Sequence, residues 1–379
     1  MEFINKGEEI NRIRLSKSSI SIAEKKAVME VLDEESLGMG AQVELFEKKI
    51  KSYIQTDMEV VCVNTGTSAL HISLASLGIG VGDEVLVPSL TYVASFQAIS
   101  ATGATPIPCE VIPNTLFIDI VDAKKRITNN TRAIMPVHYA SSAKGMSDVY
   151  SLAHEFKLRV VEDAAQAFGC KRAGKGIGVE GDIICFSFDG IKNITSGEGG
   201  AILSKDGKFI QKLQDARLLG VEKDTENRFL GLRSWDFDVT SQGWRYHMSN
   251  IMASIGLVQI DRIDEFKLSR QKIVQEYIKG FTNIREVNVL DFDFIDLISH
   301  IFVIKVKKRD ELKEYLTLNG IECGVHYKPN HLLTKYSIKK NLPVTEKIYK
   351  EILTLPCHND LTIIEQKYII KKIKVFFNY

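Results

Sequence analysis

The sequence predicts an α/β protein: a large unit on a mostly parallel seven-stranded sheet flanked by helices, then a small α+β C-terminal unit. Three observations carry this. Short apolar runs alternate with helical patterns from Val60 to about Leu203, the signature of a parallel sheet covered on both faces. Several of those runs end in polar turns bearing reactive side chains, where ligands bind in such sheets. At 379 residues the chain also exceeds one simple core, and the division expected is 1–260 and 261–379.

The first elements are a helix, Ile22–Leu32, with Ser21 as N-cap, and an amphipathic helix, Val43–Ile50, separated by the turn Gly38-Met39-Gly40. Strands follow at Val60–Val63, Glu84–Val87, Thr105–Pro108, Ala133–Val137, Arg159–Glu162, Ile183–Phe188 and Ala201–Ser204. A helix begins in Pro88–Ser95, and another runs from Phe209 to Leu219. A charged, glycine-bearing loop then spans Gly220–Trp235, and a long helical pattern covers Ser249 to about Lys279. The C-terminal unit reads as strand His300–Lys307, helix Asp310–Leu318 stopped by Asn319-Gly320, strand Ile321–Tyr327, and helices Thr345–Leu353 and Thr362–Phe376. There is no internal repeat or low-complexity tract.

Composition narrows the function. A net charge of +1 argues against a polyanion-binding surface, so nucleic acid is not an expected partner. No apolar run reaches the ~18 residues of a membrane span. The charged stretch Met1–Glu9 lacks the apolar core of a signal peptide, so the cytoplasm is the expected location. Six scattered cysteines without a Cys-x-x-Cys pair point to neither a disulfide framework nor a metal site.

Three strand ends carry the chemistry. Val60–Val63 runs into Asn64-Thr65-Gly66-Thr67-Ser68, a glycine turn and a helix opened by hydroxyl residues, which suits a phosphate at Thr67 and Ser68. Arg159–Glu162 leads to Asp163; Glu162 points to the opposite face if the strand continues. Ile183–Phe188 delivers Lys192 into a polar loop beside a low-dielectric core, where burial favours the neutral amine able to form a Schiff base. An anion-binding helix start, a carboxylate and a lysine together suit pyridoxal 5'-phosphate (PLP).

The segments Glu162-Asp163-Ala164-Ala165-Gln166-Ala167 and Lys192-Asn193-Ile194-Thr195-Ser196-Gly197-Glu198-Gly199-Gly200 resemble those of the DegT/StrS-type nucleotide-sugar aminotransferases, which share the aspartate-aminotransferase fold. The resemblance covers nearly the whole chain, from Ile13-Arg14-Leu15-Ser16 to the last helix. It implies Lys192 as the covalent anchor, Asp163 on the ring nitrogen, Tyr92 against the ring, and Gln166 near the phenolic oxygen. Thr67, Ser68 and Ser187 would hold phosphate. Gly40, His326, Tyr327 and His331 fall in segments that border the substrate; the spacing His326…His331 is not a helical zinc pair, because Pro329 interrupts it. Two positions depart from the pattern. Asp189 stands where relatives commonly carry histidine, placing an acid at the substrate end. Arg245 stands where relatives often carry an asparagine reaching the phosphate in the partner subunit; a guanidinium there suits that phosphate, the substrate diphosphate or a surface ion pair.

The activity implied is transfer of nitrogen from L-glutamate to a nucleotide-linked keto-6-deoxy sugar for surface-polysaccharide amino sugars, in a homodimer with shared sites. A dTDP-4-keto sugar aminated at C4 is the form expected, with C3 amination of a dTDP- or UDP-sugar as the alternative. Three rivals fit less well. A dehydratase relative would replace Lys192 or add cluster cysteines. A non-catalytic regulator would be expected to lack Asp163, Lys192 or the phosphate hydroxyls. A nicotinamide enzyme would need a strand–Gly-x-Gly-x-x-Gly–helix context that Gly174-Lys175-Gly176-Ile177-Gly178 does not have.

Overall fold

The structure, a computed structural model, describes residues 12–233, 235–337 and 341–379; the stretch Met1–Glu9 lies outside them. In chain order the strands are β1 (Glu59–Val63), β2 (Glu84–Pro88), β3 (Thr105–Cys109), β4 (Thr131–Ile134) and β5 (Arg159–Asp163). A short hairpin follows, β6 (Lys171–Arg172) and β7 (Lys175–Gly176), and then β8 (Ile183–Ser187) and β9 (Gly200–Ser204). The helices of this part are α1 (Ile22–Asp33), α2 (Ala41–Ile54), α3 (Gly66–Ser76), α4 (Val93–Ala101), α5 (Ile120–Lys125), α6 (Met146–Phe156), α7 (Gly207–Ala216), α8 (Asp224–Phe229) and α9 (Asn250–Asp261). Beyond them lie α10 (Ile263–Phe281), β10 (Asn288–Val289), β11 (Phe302–Lys305), α11 (Arg309–Leu318), α12 (Pro343–Glu351), β12 (Ile352–Leu355) and α13 (Ile363–Phe376).

The seven-stranded sheet has the order β1-β9-β8-β5-β4-β2-β3. All neighbouring pairs are parallel except those of β9, which is antiparallel to both β1 and β8. The register aligns the strand ends that matter: Val63 and Ser187 both stand opposite Gly200, and Asp163 stands opposite Cys185.

Alternation sorts the side chains into two cores. Val61, Val63, Val161, Ile183 and Cys185 pack on one face with Leu70, Phe96 and Leu213 from α3, α4 and α7. Val60, Cys62, Val160, Ile184 and Phe186 pack on the other with Phe46, Val149 and Ala253 from α2, α6 and α9. A strand buried on both faces must be continuously apolar, which is why these runs stand out in the sequence. The same alternation places Asp163 and Glu162 on opposite sides of β5.

Four expectations need correction. The helical pattern Ser249–Lys279 is two helices, because Arg262 closes α9 (φ −97°, ψ 0°) and its guanidinium is taken by Glu24 at 2.7 Å. The loop Gly220–Trp235 contains the short helix α8. The expected strand Ile321–Tyr327 makes only isolated bridges, Ile321 to Ile13 and Gly324 to Thr354. The third strand of the small antiparallel sheet β10-β11-β12 comes instead from Ile352–Leu355, part of which was expected to be helical. There the chain turns extended at Ile352 (φ −75°, ψ 136°), and all four β12 residues are buried. Ser21 does cap α1, in a reciprocal box with Glu24. No helix among the described residues is long and apolar enough to cross a membrane.

Candidate active site

A cavity of about 470 Å³ lies at the carboxyl ends of β1, β5 and β8. Thr65, Gly66 and Thr67, Tyr92, Asp163 and Gln166, Ser187, Asp189, Lys192 and Glu198 line it, and His300, His326 and Tyr327 close it from the small-sheet side.

One wall is the start of α3. Thr65 is its N-cap: the Thr65 Oγ1 accepts from the Ser68 amide at 3.0 Å, and the Ser68 Oγ accepts from the Thr65 amide at 3.1 Å. The amides of Gly66 and Thr67 have no intrahelical acceptor and none elsewhere among the described residues, so they present donors to the cavity. Glycine at 66 is required by proximity. A Cβ there would lie 2.7 Å from the Ser187 Cβ, so only glycine lets the helix start sit against the end of β8.

The second wall is Asp163, which ends β5 and is 5% exposed. Its Oδ2 accepts from the Ser95 Oγ of α4 at 2.7 Å, and its Oδ1 accepts from the Ala165 amide at 3.2 Å. Glu162 faces away, fully buried between His138 Nε2 at 2.8 Å, the Tyr150 hydroxyl at 2.6 Å and Arg172 at 3.1 Å. Burial pushes the Glu162 carboxyl up, but these donors outweigh it and hold it below the usual carboxylate range. His138 is thus consumed by a structural pair.

Lys192 follows β8 in a tight loop. The Phe188 amide donates to the Gly199 carbonyl and the Ser196 amide to the Phe188 carbonyl. The buried Asn193 amide anchors the loop, donating to the carbonyls of Phe168 at 3.0 Å and Ile298 at 3.1 Å. The Lys192 amine has no hydrogen bond or ion pair among the described residues. Burial drives its pKa below the usual 10.5, against the pull of Asp189, Asp163 and Glu198. Glu198 is itself raised by burial and by Asp189.

On the opposite side Gln166 is fixed at both ends. Its Oε1 accepts from the Ala140 amide at 2.8 Å and its Nε2 donates to the Tyr327 hydroxyl at 3.1 Å. Tyr92 stands half in solvent at the mouth, its ring 5.5 Å from that of Tyr327. His326 Nδ1 pairs with Thr354 Oγ1 at 2.8 Å, and burial and Lys192 hold its pKa at about 4.

Four expected residues do not line this cavity. Ser68 is turned inward by the capping box and by Asn64 Oδ1 at 2.6 Å. Gly40 caps α2 and is packed against the Asn250 side chain. His331 is buried between Ser89 Oγ at 2.7 Å and Glu346 at 3.3 Å. Arg245 is exposed on the segment bridged to Leu218, outside the cavity. Conversely, the cavity or its support uses Thr65, Gly66, Ser95, Glu198 and His300, none of them among the expected site residues. Thr65 carried a legible signal, a hydroxyl three residues before Ser68 at a helix start. Ser95 and His300 carried none, because tertiary packing brings them in.

The profile of the DegT/DnrJ/EryC1/StrS aminotransferase family matches residues 18–374. GDP-perosamine synthase of Escherichia coli O157:H7 is 34% identical over 366 residues, 95% of this chain and 97% of the relative. The dTDP-3-amino-3,4,6-trideoxy-alpha-D-glucose transaminase of Streptomyces venezuelae is 33% identical over 337 residues, 87% of this chain and 86% of the relative. Among solved structures, S. venezuelae DesV superposes with TM-score 0.86 at 31% identity, covering 94% of each chain. A Streptococcus pneumoniae protein in its PMP form gives TM-score 0.89 at 28% identity, covering 97% of this chain and 98% of that one. Its PLP form gives 0.89 at 28% identity, covering 97% and 99%. This chain therefore belongs to the DegT/DnrJ/EryC1/StrS family of PLP-dependent aminotransferases.

Proposed function

We propose that the chain moves the amino group of L-glutamate to the keto carbon of a nucleoside-diphosphate-linked 6-deoxy sugar, with Lys192 as covalent anchor and proton carrier. The observation that carries this is Lys192 itself: an unpaired amine in a cavity, with its charged form disfavoured by burial.

The residues fit the cofactor. The unpartnered amides of Gly66 and Thr67, with the hydroxyls of Thr67 and Ser187, are donors for its phosphate. Asp163, held by Ser95 and the Ala165 amide, is the carboxylate for its ring nitrogen. Gln166 and Tyr92, which line the same cavity, would border its ring. When bound, PLP supplies an aldehyde for the lysine and an electron-withdrawing ring. The Lys192 amine, released when the amino donor enters, is placed to take the proton from the donor Cα and return one; the sugar half-reaction runs through the same amine in reverse. Asp189, His326 and Tyr327 line the same cavity and are the residues proposed to meet the substrate.

The site is completed by a second copy in this reading. Among the described residues the cavity lining holds no arginine, so a guanidinium for the phosphate would come from outside. Arg245 is exposed, and the loop before it displays Leu230, Leu232, Trp235 and Phe237 to solvent. An open apolar depression of about 510 Å³ lined by Ile20, Val28, Met29 and Ile255 adjoins Gly190 and Gly197 of the lysine loop. Apolar surface on that scale favours a partner surface, and a cytoplasmic homodimer is the assembly proposed.

C4 amination of a dTDP-linked sugar is the form carried forward. The dTDP-3-amino product in the name of the Streptomyces relative favours C3 as the second reading. A panel of nucleotide keto-sugars with L-glutamate, products read by mass and proton NMR, separates the two. Full turnover by Lys192→Ala would overturn both.

A further inference from the structure

His300 lines the same cavity as Lys192 and takes no part in the chemistry above. It is 5% exposed, and its backbone is fixed on both sides. The amide donates to Ser141 Oγ at 3.0 Å, and the carbonyl accepts from the buried Arg270 Nη1 at 3.1 Å. The ring, by contrast, is unpaired. Neither nitrogen has a hydrogen-bond partner among the described residues, and Nδ1 is shut off from solvent altogether. Nε2, the nitrogen that keeps accessible surface, is an unpaired polar atom on a cavity wall, the kind of group a ligand atom satisfies. With nothing beside Nδ1 to accept a proton, the N–H belongs on Nε2, the nitrogen that is not sealed off. Burial and the nearby Lys192 hold the ring neutral, well below its ordinary pKa of 6.5. His300 is therefore an uncharged donor.

The rest of the lining says what it donates to. A transaminase admits two unlike molecules in turn, here a dicarboxylic amino acid and a hydroxylated sugar. A buried guanidinium matched to the first would be left without its counter-ion by the second, at a high desolvation cost. Among the described residues this chain's lining holds no arginine, and the Arg245 proposed to reach in from a second copy is assigned to phosphate. A neutral N–H donates more strongly to a carboxylate oxygen than to a sugar hydroxyl, yet leaves no unpaired buried charge when the hydroxyl takes its place. We infer that His300 Nε2–H, beside His326, forms the subsite for a carboxylate of the amino donor, a role that rests on the transamination proposed above.

The test compares holoenzyme of wild type, His300→Leu and His300→Gln, using glutarate, an unreactive dicarboxylate, in calorimetric titrations, and L-glutamate in the isolated first half-reaction. His300→Leu is expected to raise the glutarate Kd and the glutamate KM about tenfold or more, with a smaller effect on the limiting rate; the amide of His300→Gln restores part of the loss. The melting temperature of cofactor-free His300→Leu should equal or exceed wild type, because an unpaired buried polar group has gone. Wild-type affinity in His300→Leu, or no glutarate binding to the wild type, overturns the inference. So does a melting temperature lowered in both variants with no rescue by glutamine, which would make the ring a packing element. Failure of the transaminase reading appears elsewhere, as wild-type protein that forms no covalent link between Lys192 and PLP.

Discussion

Gly66→Ala tests whether the helix start is built to hold phosphate. The new methyl carbon would lie 2.7 Å from the Ser187 Cβ, 3.0 Å from its Oγ and 3.3 Å from its Cα, and the last of these is backbone that cannot rotate away. Carbon–carbon contacts settle at about 3.5–4.0 Å, so α3 and the end of β8 must separate by about 1 Å. Two opposing effects set stability. Losing a glycine at a compatible backbone position stabilises by about 0.4–1 kcal/mol, whereas overpacking costs about 1–3 kcal/mol. Overpacking wins, with a net loss of about 1–2 kcal/mol. The displacement also carries the Gly66 and Thr67 amides off their acceptor. A hydrogen bond to a charged group contributes about 1.5–3 kcal/mol, so PLP affinity falls roughly 10- to 100-fold. Gly207→Ala is the matched control: Gly207 is also the first residue of a helix, but nothing lies within 4 Å of the place its methyl would take, so only the stabilising effect remains. Urea unfolding of the cofactor-free proteins and a spectrophotometric PLP titration read both quantities. If the two variants match in stability and in PLP affinity, the close-approach argument is refuted.

Ser95→Ala deletes the 2.7 Å hydrogen bond to Asp163; it should cost about 1–3 kcal/mol of stability and weaken PLP binding about tenfold, and unchanged PLP affinity would show that Asp163 needs no orientation. Burial pushes the Glu24 carboxyl up, but bonds from Ser21 and Arg262 overcome it and lower its pKa to about 2. A depressed carboxylate stabilises above its unfolded value and loses that contribution as pH falls through the folded one. The melting-temperature gap between wild type and Glu24→Gln should thus be constant above about pH 5 and close toward about pH 2; a gap independent of pH would contradict this. Replacing exposed Leu230 with lysine and Trp235 with glutamate should yield monomers in sedimentation velocity with monomer stability intact, and a wild type that is already monomeric would refute the shared site.

The central sheet was legible because its inner strands are buried on both faces and break at polar turns, so Val60–Val63 and Ile183–Ser187 appear as isolated apolar runs. β12 was not, because Ile352–Leu355 adjoins α12 with no glycine or proline between them, and the local pattern continues a helix. The alternation at Ile321–Tyr327 looked like a strand but found only single bridge partners. In the site, Asp163 and Ser187 end strands, and Gln166 and Lys192 lie in the turns that follow them, where the pattern itself points to a cavity. Side-chain direction was the limit elsewhere. Ser68 is adjacent to Thr67 in sequence, yet the capping box turns its hydroxyl away. His331 is five residues from His326 but is drawn off by Ser89 and Glu346. Ser95 and His300 reach the site only through packing between distant segments.

The proposed chemistry depends on the amine of Lys192 being the group that PLP engages covalently. Borohydride reduction of the PLP-loaded protein, followed by proteolysis and mass mapping, reads that bond out residue by residue. The expected result is a pyridoxyl phosphate label on the peptide bearing Lys192 and its loss in Lys192→Ala; a label on another lysine, or none at all, rules the chemistry out.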